Sequence, residues 1–376
     1  MKNSILALSL SISGNTIFSQ ITAEEFNRYI KTELSKGTIA GMGIAIVTND
    51  SILLSKGYGY ADIQNKIPFS NNTVINIASI SKSFIGVSIM YAMENNLLDL
   101  DNNVNELLSF NVINPHSPDQ FITLRHLMGH TSGIKDEDTL YKASYHYGGD
   151  SPEPLAVFLE DYLSPDGKHY SENNFIYSKP GETYLYSNIG AGLAGHILES
   201  VTGKPLNVLT REIIFEPLEM NETYWFLSEM PNLSKHSKLY KVGEKTNTLI
   251  EIELYGLITY PDGGLRTTIS DLSNYLIWIM NKGSFKGRSI IKSSSVAEML
   301  KPDYSNSYAK FWETGERIGH GGWDPGVTTG MYYYPEENLG IIIFINSSSY
   351  DNFMELGKKV QEYGKSILKG VDNSQK

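Results

Sequence analysis

The chain contains no cysteine in 376 residues. That excludes disulfides, thiolate nucleophiles, cysteine-ligated metals and a lipid-modified N-terminal cysteine. It has no run rich in lysine and arginine, and its 31 basic residues are outnumbered by 42 acidic ones, for a net charge of −11. Nucleic acid and anionic membrane surfaces are therefore excluded as expected partners. No stretch approaches the eighteen or so apolar residues that a membrane-spanning helix needs. Also missing are a P-loop, H-E-x-x-H, G-x-S-x-G and a G-x-G-x-x-G following a strand. The sequence thus carries none of these motifs for a metal or a nucleotide cofactor. Internal repeats and low-complexity tracts are absent too.

What is present begins with 41% hydrophobic residues, enough for a sizeable core. There are 24 tyrosines, a residue that packs at half-buried sites and lines binding clefts. The N-terminus has the pattern of a secretory leader: Lys2, an apolar run from Ile5 to Ile12, and a cleavage region from Thr16 to Ser19. The expectation is an exported, periplasmic or secreted protein, with residues 1–19 a signal peptide and 20–376 one functional domain.

Thr22-Ala23-Glu24-Glu25 is a capping box opening a helix that ends near Gly37. Gly41 to Val47 and Ile52 to Tyr60 flank Asn49-Asp50 and read as a β-hairpin. A helix is expected from about Ser79 to Asn96, and a short one is capped by Thr123. Others run from Ile189 to Val201 and from Asp271 to Asn281. Residues 135–180 read as a mostly irregular insert. Near the C-terminus, Arg317–Gly322, Gly330–Tyr334 and Leu339–Asn346 read as successive antiparallel strands. Phe353, Leu356, Val360, Tyr363 and Ile367 then mark one face of a final helix. With strands at both ends and helices between, the fold class is α+β: one antiparallel sheet flanked by helices, with the middle of the chain inserted as a mostly helical lobe.

Ser79-Ile80-Ser81-Lys82 places a serine and a lysine one turn apart where an apolar helical pattern begins. A serine hydroxyl needs a base within hydrogen-bond reach to become a nucleophile, and a lysine three residues along the same helix face can be that base, because i and i+3 are neighbours. S-x-x-K occurs five times, at Ser79, Ser132, Ser289, Ser307 and Ser366, and only the first opens a long apolar helix. Tyr186-Ser187-Asn188 precedes the helix at Ile189; a tyrosine there can act as general base, and an asparagine can bond an amide through both its oxygen and its nitrogen. A second set, Ser289/Lys292 with Tyr304/Asn306, is more compact but opens no apolar helix. His320-Gly321-Gly322 closes a strand, with His320 able to hold a carboxylate or carry a proton. His130 is expected to bond nearby backbone.

Taken together, five segments resemble the serine β-lactamase-related family of class C β-lactamases, D,D-peptidases, D-aminopeptidases and esterases, from about Glu25 to Leu368. They are Ile77–Phe84, Ile122–Ile134, Pro180–Gly203, Gly263–Leu272, and Gly319–Gly322 with Leu339-Gly340 and Asn346. Their order and spacing favour Ser79 over the compact set. The resemblance implies a serine hydrolase that forms an acyl-enzyme on Ser79. It also implies that Lys82 shares the proton, Tyr186 acts as base and then acid, and Asn188 orients a substrate amide. His320 and Gly322 would line the substrate site, and the backbone N–H groups of Ser79 and Trp323 would hold the oxyanion. The implied substrates are small molecules or peptides: esters, or amides of small or D-configured acyl groups. A true β-lactamase, or a slowly acylating penicillin-recognising protein, is the alternative. Class C β-lactamases usually carry Lys-Thr-Gly where this chain has His320-Gly321-Gly322, so a substrate carboxylate should be held less firmly. The insert at 135–180 is expected to shape the cleft.

Overall fold

The computed structural model describes residues 21–243, 248–348 and 351–374. The expected leader lies outside them. Six strands form one antiparallel sheet: β1 (Gly41–Val47), β2 (Ile52–Asp62), β3 (Ile67–Pro68), β4 (Ile318–Asp324), β5 (Val327–Tyr334) and β6 (Leu339–Ile345). Their spatial order is β4-β5-β6-β1-β2-β3. The two ends of the chain meet at β1 and β6, where Ile44 pairs with Ile343 and Ala45 with Ile342.

The side-chain period of two divides this sheet between two cores. Met42, Ile44 and Ile46, with Ile341, Ile343 and Ile345, face the terminal helices α1 (Ala23–Ser35) and α7 (Phe353–Ser374). Ala45, Val47, Ile342 and Phe344 face the opposite way, into the main core. Because both faces are covered, β6 is apolar at every position rather than alternating. On the outer layer Phe26 of α1 stacks on Tyr363 of α7 at 4.2 Å.

The middle of the chain carries α2 (Ser81–Glu94), α3 (Leu124–Met128), α4 (Leu155–Leu163), α5 (Asn188–Thr202) and α6 (Ile269–Met280). All but three residues of α2 are buried, as expected of a helix that is apolar all round. Two expectations need correction. The first helical turn is separate: Ala78–Ile80 is a 3₁₀ turn and α2 starts only at Ser81. The insert is also more ordered than its Gly, Pro and Asp content suggested. It contains helices at Asp138–Ala143 and Leu155–Leu163 and a strand, Tyr145–Tyr147, paired with Tyr255–Leu257. That partner lies about a hundred residues away, so no local pattern announces it. Among the described residues no helix is long and apolar enough to cross a membrane.

Candidate active site

The serine turn is clamped from four directions. Ala78 sits at φ +48°, the left-handed region that non-glycine residues rarely adopt. Its N–H donates to Asn76 Oδ1 at 2.6 Å, and its carbonyl accepts from Ser81 Oγ at 2.6 Å. The Ile77 N–H donates to the Leu265 carbonyl at 2.9 Å, and the Ile77 carbonyl accepts from Thr329 Oγ1 of β5 at 2.9 Å. These bonds hold a backbone strained by about 1–3 kcal/mol and fix where Ser79 points. Gly322 of β4 lies directly on this turn. A Cβ there would come within 2.5 Å of the Ile77 carbonyl and 2.3 Å of Thr329 Oγ1, so only glycine fits.

Lys82 is fully buried. Its Nζ donates to Ser79 Oγ at 3.0 Å, to Asn188 Oδ1 at 2.7 Å and to the Asp262 carbonyl at 2.6 Å. It also lies 4.9 Å from the centre of the Tyr186 ring. The structure thus brings Ser79, Lys82, Tyr186 and Asn188 together from two separate segments. Tyr186 Oη is buried and, among the described residues, has no hydrogen-bond partner. Asp136, from the insert, sets the approach of Tyr186 and Asn188. Its carboxylate accepts from Ser187 Oγ (2.9 Å), Asn188 N–H (2.8 Å) and Ile189 N–H (3.0 Å) at the start of α5, where the helix dipole favours negative charge.

His320 ends a buried hydrogen-bonded chain that runs from His130 through Tyr308. The Ser187 N–H donates to His130 Nδ1 at 3.2 Å, so the proton of a neutral His130 is on Nε2, facing Tyr308 Oη at 3.1 Å. Tyr308 has one proton to give, and it goes to His320 Nε2 at 3.0 Å. That leaves His320 Nδ1–H for the Gly321 carbonyl at 2.5 Å. Burial drives the pKa of His130 well below the usual range and that of His320 to about 4; the Glu313 charge nearby only partly opposes this for His320. His320 is therefore neutral at pH 7 with both nitrogens engaged, and it holds no charge for a substrate carboxylate. His130 does bond backbone, but that of Ser187, 57 residues on.

Ser79, Tyr186, Asn188, His320, Gly322 and Trp323 all line one cleft of about 520 Å³. Trp323 is 61% exposed at its rim. A second cavity shares Tyr186, Glu313 and His320 with it. The compact alternative set lies elsewhere: Ser289 is exposed and its hydroxyl donates to the Ile291 carbonyl at 2.7 Å, and none of its four residues lines the cleft. Sequence reasoning missed Asp262, Asp324 and Glu313 in the same cleft, together with Tyr141 and Tyr145 of the insert. Asp262 adjoins the Gly263-Gly264 motif and Asp324 follows Trp323, so adjacency was the only available signal. Among the described residues no group of three or more His, Cys, Asp or Glu could hold a metal ion.

The family model described as beta-lactamase matches residues 26–363. The chain belongs to the beta-lactamase family. Protein flp of Staphylococcus aureus strain N315 is 26% identical over 332 residues, covering 87% of this chain and 63% of that protein. This chain thus spans less than two thirds of the length of that relative. Penicillin-binding protein 4* of Bacillus subtilis strain 168 is 27% identical over 340 residues, covering 86% of this chain and 69% of that one. The octameric penicillin-binding protein homologue of Pyrococcus abyssi shares the fold, with a TM-score of 0.72 at 24% identity, over 93% of this chain and 78% of its own. The beta-lactamase family match places the clamped serine turn, Lys82, Tyr186 and the His320 strand within one aligned unit.

Proposed function

We propose that this chain is a serine hydrolase that forms an acyl-enzyme on Ser79 and cleaves esters or amides of small acyl groups, including D-amino-acid-containing peptides. The observation that carries the reading is the buried Lys82 Nζ donating to Ser79 Oγ at 3.0 Å with its other two bonds fixed on Asn188 and Asp262. With all three N–H groups on oxygen acceptors, the lysine acts as an ammonium that stabilises the developing alkoxide.

On attack, Ser79 Oγ bonds the substrate carbonyl carbon. The serine proton passes to Tyr186, which delivers it to the leaving oxygen or nitrogen as the bond to the carbonyl carbon breaks. Water then adds to the acyl-enzyme, its proton taken by Tyr186, and Ser79 leaves reprotonated. The backbone N–H groups of Ser79 and Trp323 are assigned to the oxyanion, the usual largest contribution in acyl transfer. Asn188 Oδ1 is committed to Lys82, which leaves Nδ2 to orient a substrate carbonyl.

A β-lactam carries a carboxylate, and the cleft offers it a neutral His320 and the acidic Glu313. Short-chain nitrophenyl esters should therefore be turned over faster than a chromogenic cephalosporin. Ester turnover should also vanish in Ser79→Ala. A faster cephalosporin reaction would put β-lactamase first, and ester turnover unchanged in Ser79→Ala would remove the acyl-enzyme reading altogether.

A further inference from the structure

The cleft has a second polar centre that the acyl-transfer steps do not use. Asp262 (2% exposed) and Asp324 (4% exposed) both line it. Asp262 Oδ1 accepts from Tyr141 Oη at 3.1 Å, and Asp324 Oδ1 accepts from Tyr145 Oη. Among the described residues Asp262 Oδ2 is buried with no partner at full hydrogen-bond geometry; the Thr259 hydroxyl stands beside the carboxylate as a weak donor. Asp324 Oδ2 borders Gly263, next to Asp262 in the chain: a Cβ built on Gly263 would lie 3.6 Å from it.

The nearby cations do not supply the missing donors. Lys82 has all three N–H groups on other oxygens. Arg266, which also attracts Asp324, directs its Nη groups to the carbonyls of Trp225, Gly264 and Tyr255. A buried carboxylate oxygen without a donor is costly unless something brings one. An ammonium brings up to three donors and the opposite charge.

We infer that Asp262 and Asp324, with the Tyr141 and Tyr145 hydroxyls, form a subsite for a free amino group on the substrate. The substrate class is then an aminoacyl ester or amide with an unblocked amine. This rests on the hydrolase reading for its chemistry, but binding at the subsite does not depend on turnover. Glu313 lines the same cleft, with Arg317 3.8 Å from it on the side of the adjoining cavity, and among the described residues no lysine or arginine lines the cleft itself.

The test is calorimetric binding to the Ser79→Ala protein at pH 7.5, with the benzylamides of D- and L-alanine and their N-acetyl and N-succinyl forms. At least one free-amine enantiomer should bind ten or more times tighter than its N-acetyl form, and the N-succinyl form should be weakest. Asp262→Asn and Asp324→Asn, made in the same background, should each reduce that ratio about tenfold. Equal affinity for free and acetylated ligands, or tighter binding of the succinyl form, would overturn the subsite, and that ligand comparison decides the matter even if a variant fails to fold. Ratios unchanged in both folded variants would overturn it equally. Failure of the hydrolase reading shows separately, as ester turnover that survives Ser79→Ala.

Discussion

At the scale of single residues, the site depends on a few buried groups whose charge states follow from their surroundings. Burial raises the pKa of Asp262 and Asp324 to about 7 from 3.8, against the attraction of Lys82. Between pH 4 and pH 7 the folded chain therefore holds these protons more tightly than the unfolded one. Their contribution favours folding at the acid end and is lost as pH rises through 7. Asp262→Asn should thus raise the melting temperature at pH 8, by roughly 2–4 °C, and raise it less or not at all at pH 5. The buried histidines act with the opposite sign. His236, pushed down to about 3, and His320, pushed down to about 4, stay neutral in the fold while the unfolded chain takes up protons below 6.5. The informative quantity is therefore the difference between variant and wild type in a melting series across pH, not the wild-type curve alone. Lys82→Ala removes the cation from Ser79 and strands Asn188 Oδ1 and the Asp262 carbonyl. The expected loss in kcat/KM for a nitrophenyl ester is about 10³-fold or more, the order seen when one member of a catalytic unit is removed. A loss under tenfold would show that Ser79 is activated from elsewhere.

At the scale of elements, the critical contact is between β4 and the serine turn. Gly322→Ala would force Cβ into the Ile77 carbonyl and Thr329 Oγ1. Overpacking of this kind costs about 1–3 kcal/mol, and here it also displaces the turn that carries Ser79. Ester kcat should fall more steeply than a urea midpoint shift would suggest; wild-type kcat in a folded Gly322→Ala protein would mean that β4 does not position Ser79. This scale also shows what could be read in advance. The strands at both ends, the sheet order they imply and the helix at Asn188 were legible because period-two and helical patterns are local. Helix starts and turn signals alone left the compact set at Ser289 open; the order and spacing of the five family-like segments singled out Ser79, Lys82, Tyr186 and Asn188, which the fold gathers around Lys82. The 3₁₀ turn at Ala78–Ile80 was hidden because a strained φ has no sequence signature at an alanine. The strand at Tyr145–Tyr147 was hidden because its partner is distant. The paired role of Asp262 and Asp324 was hidden for the same reason: 62 positions separate them, and only the fold brings both to one cleft.

At the scale of the whole molecule, β6 is the keystone of the sheet, paired with β5 on one side and β1 on the other. Removing it exposes the apolar edges of both neighbours and opens two cores at once. A chain truncated before Leu339 should accumulate as insoluble protein, measured as the soluble fraction after expression; a soluble, active truncation would refute the topology. The α1–α7 layer adds a second link between the chain ends, with the Ile21 N–H donating to Ser366 Oγ at 2.9 Å.

The bond from Thr329 Oγ1 to the Ile77 carbonyl has a consequence in time as well as in space. The residues that build the serine turn leave the ribosome early, but the strand that locks it follows about two thirds of the chain later. Pairings this far apart in sequence form late and slowly. A nascent chain therefore carries Ser79 in an unlocked turn until Thr329 has emerged. On the acyl-enzyme reading proposed above, the serine gains its working geometry only at that point.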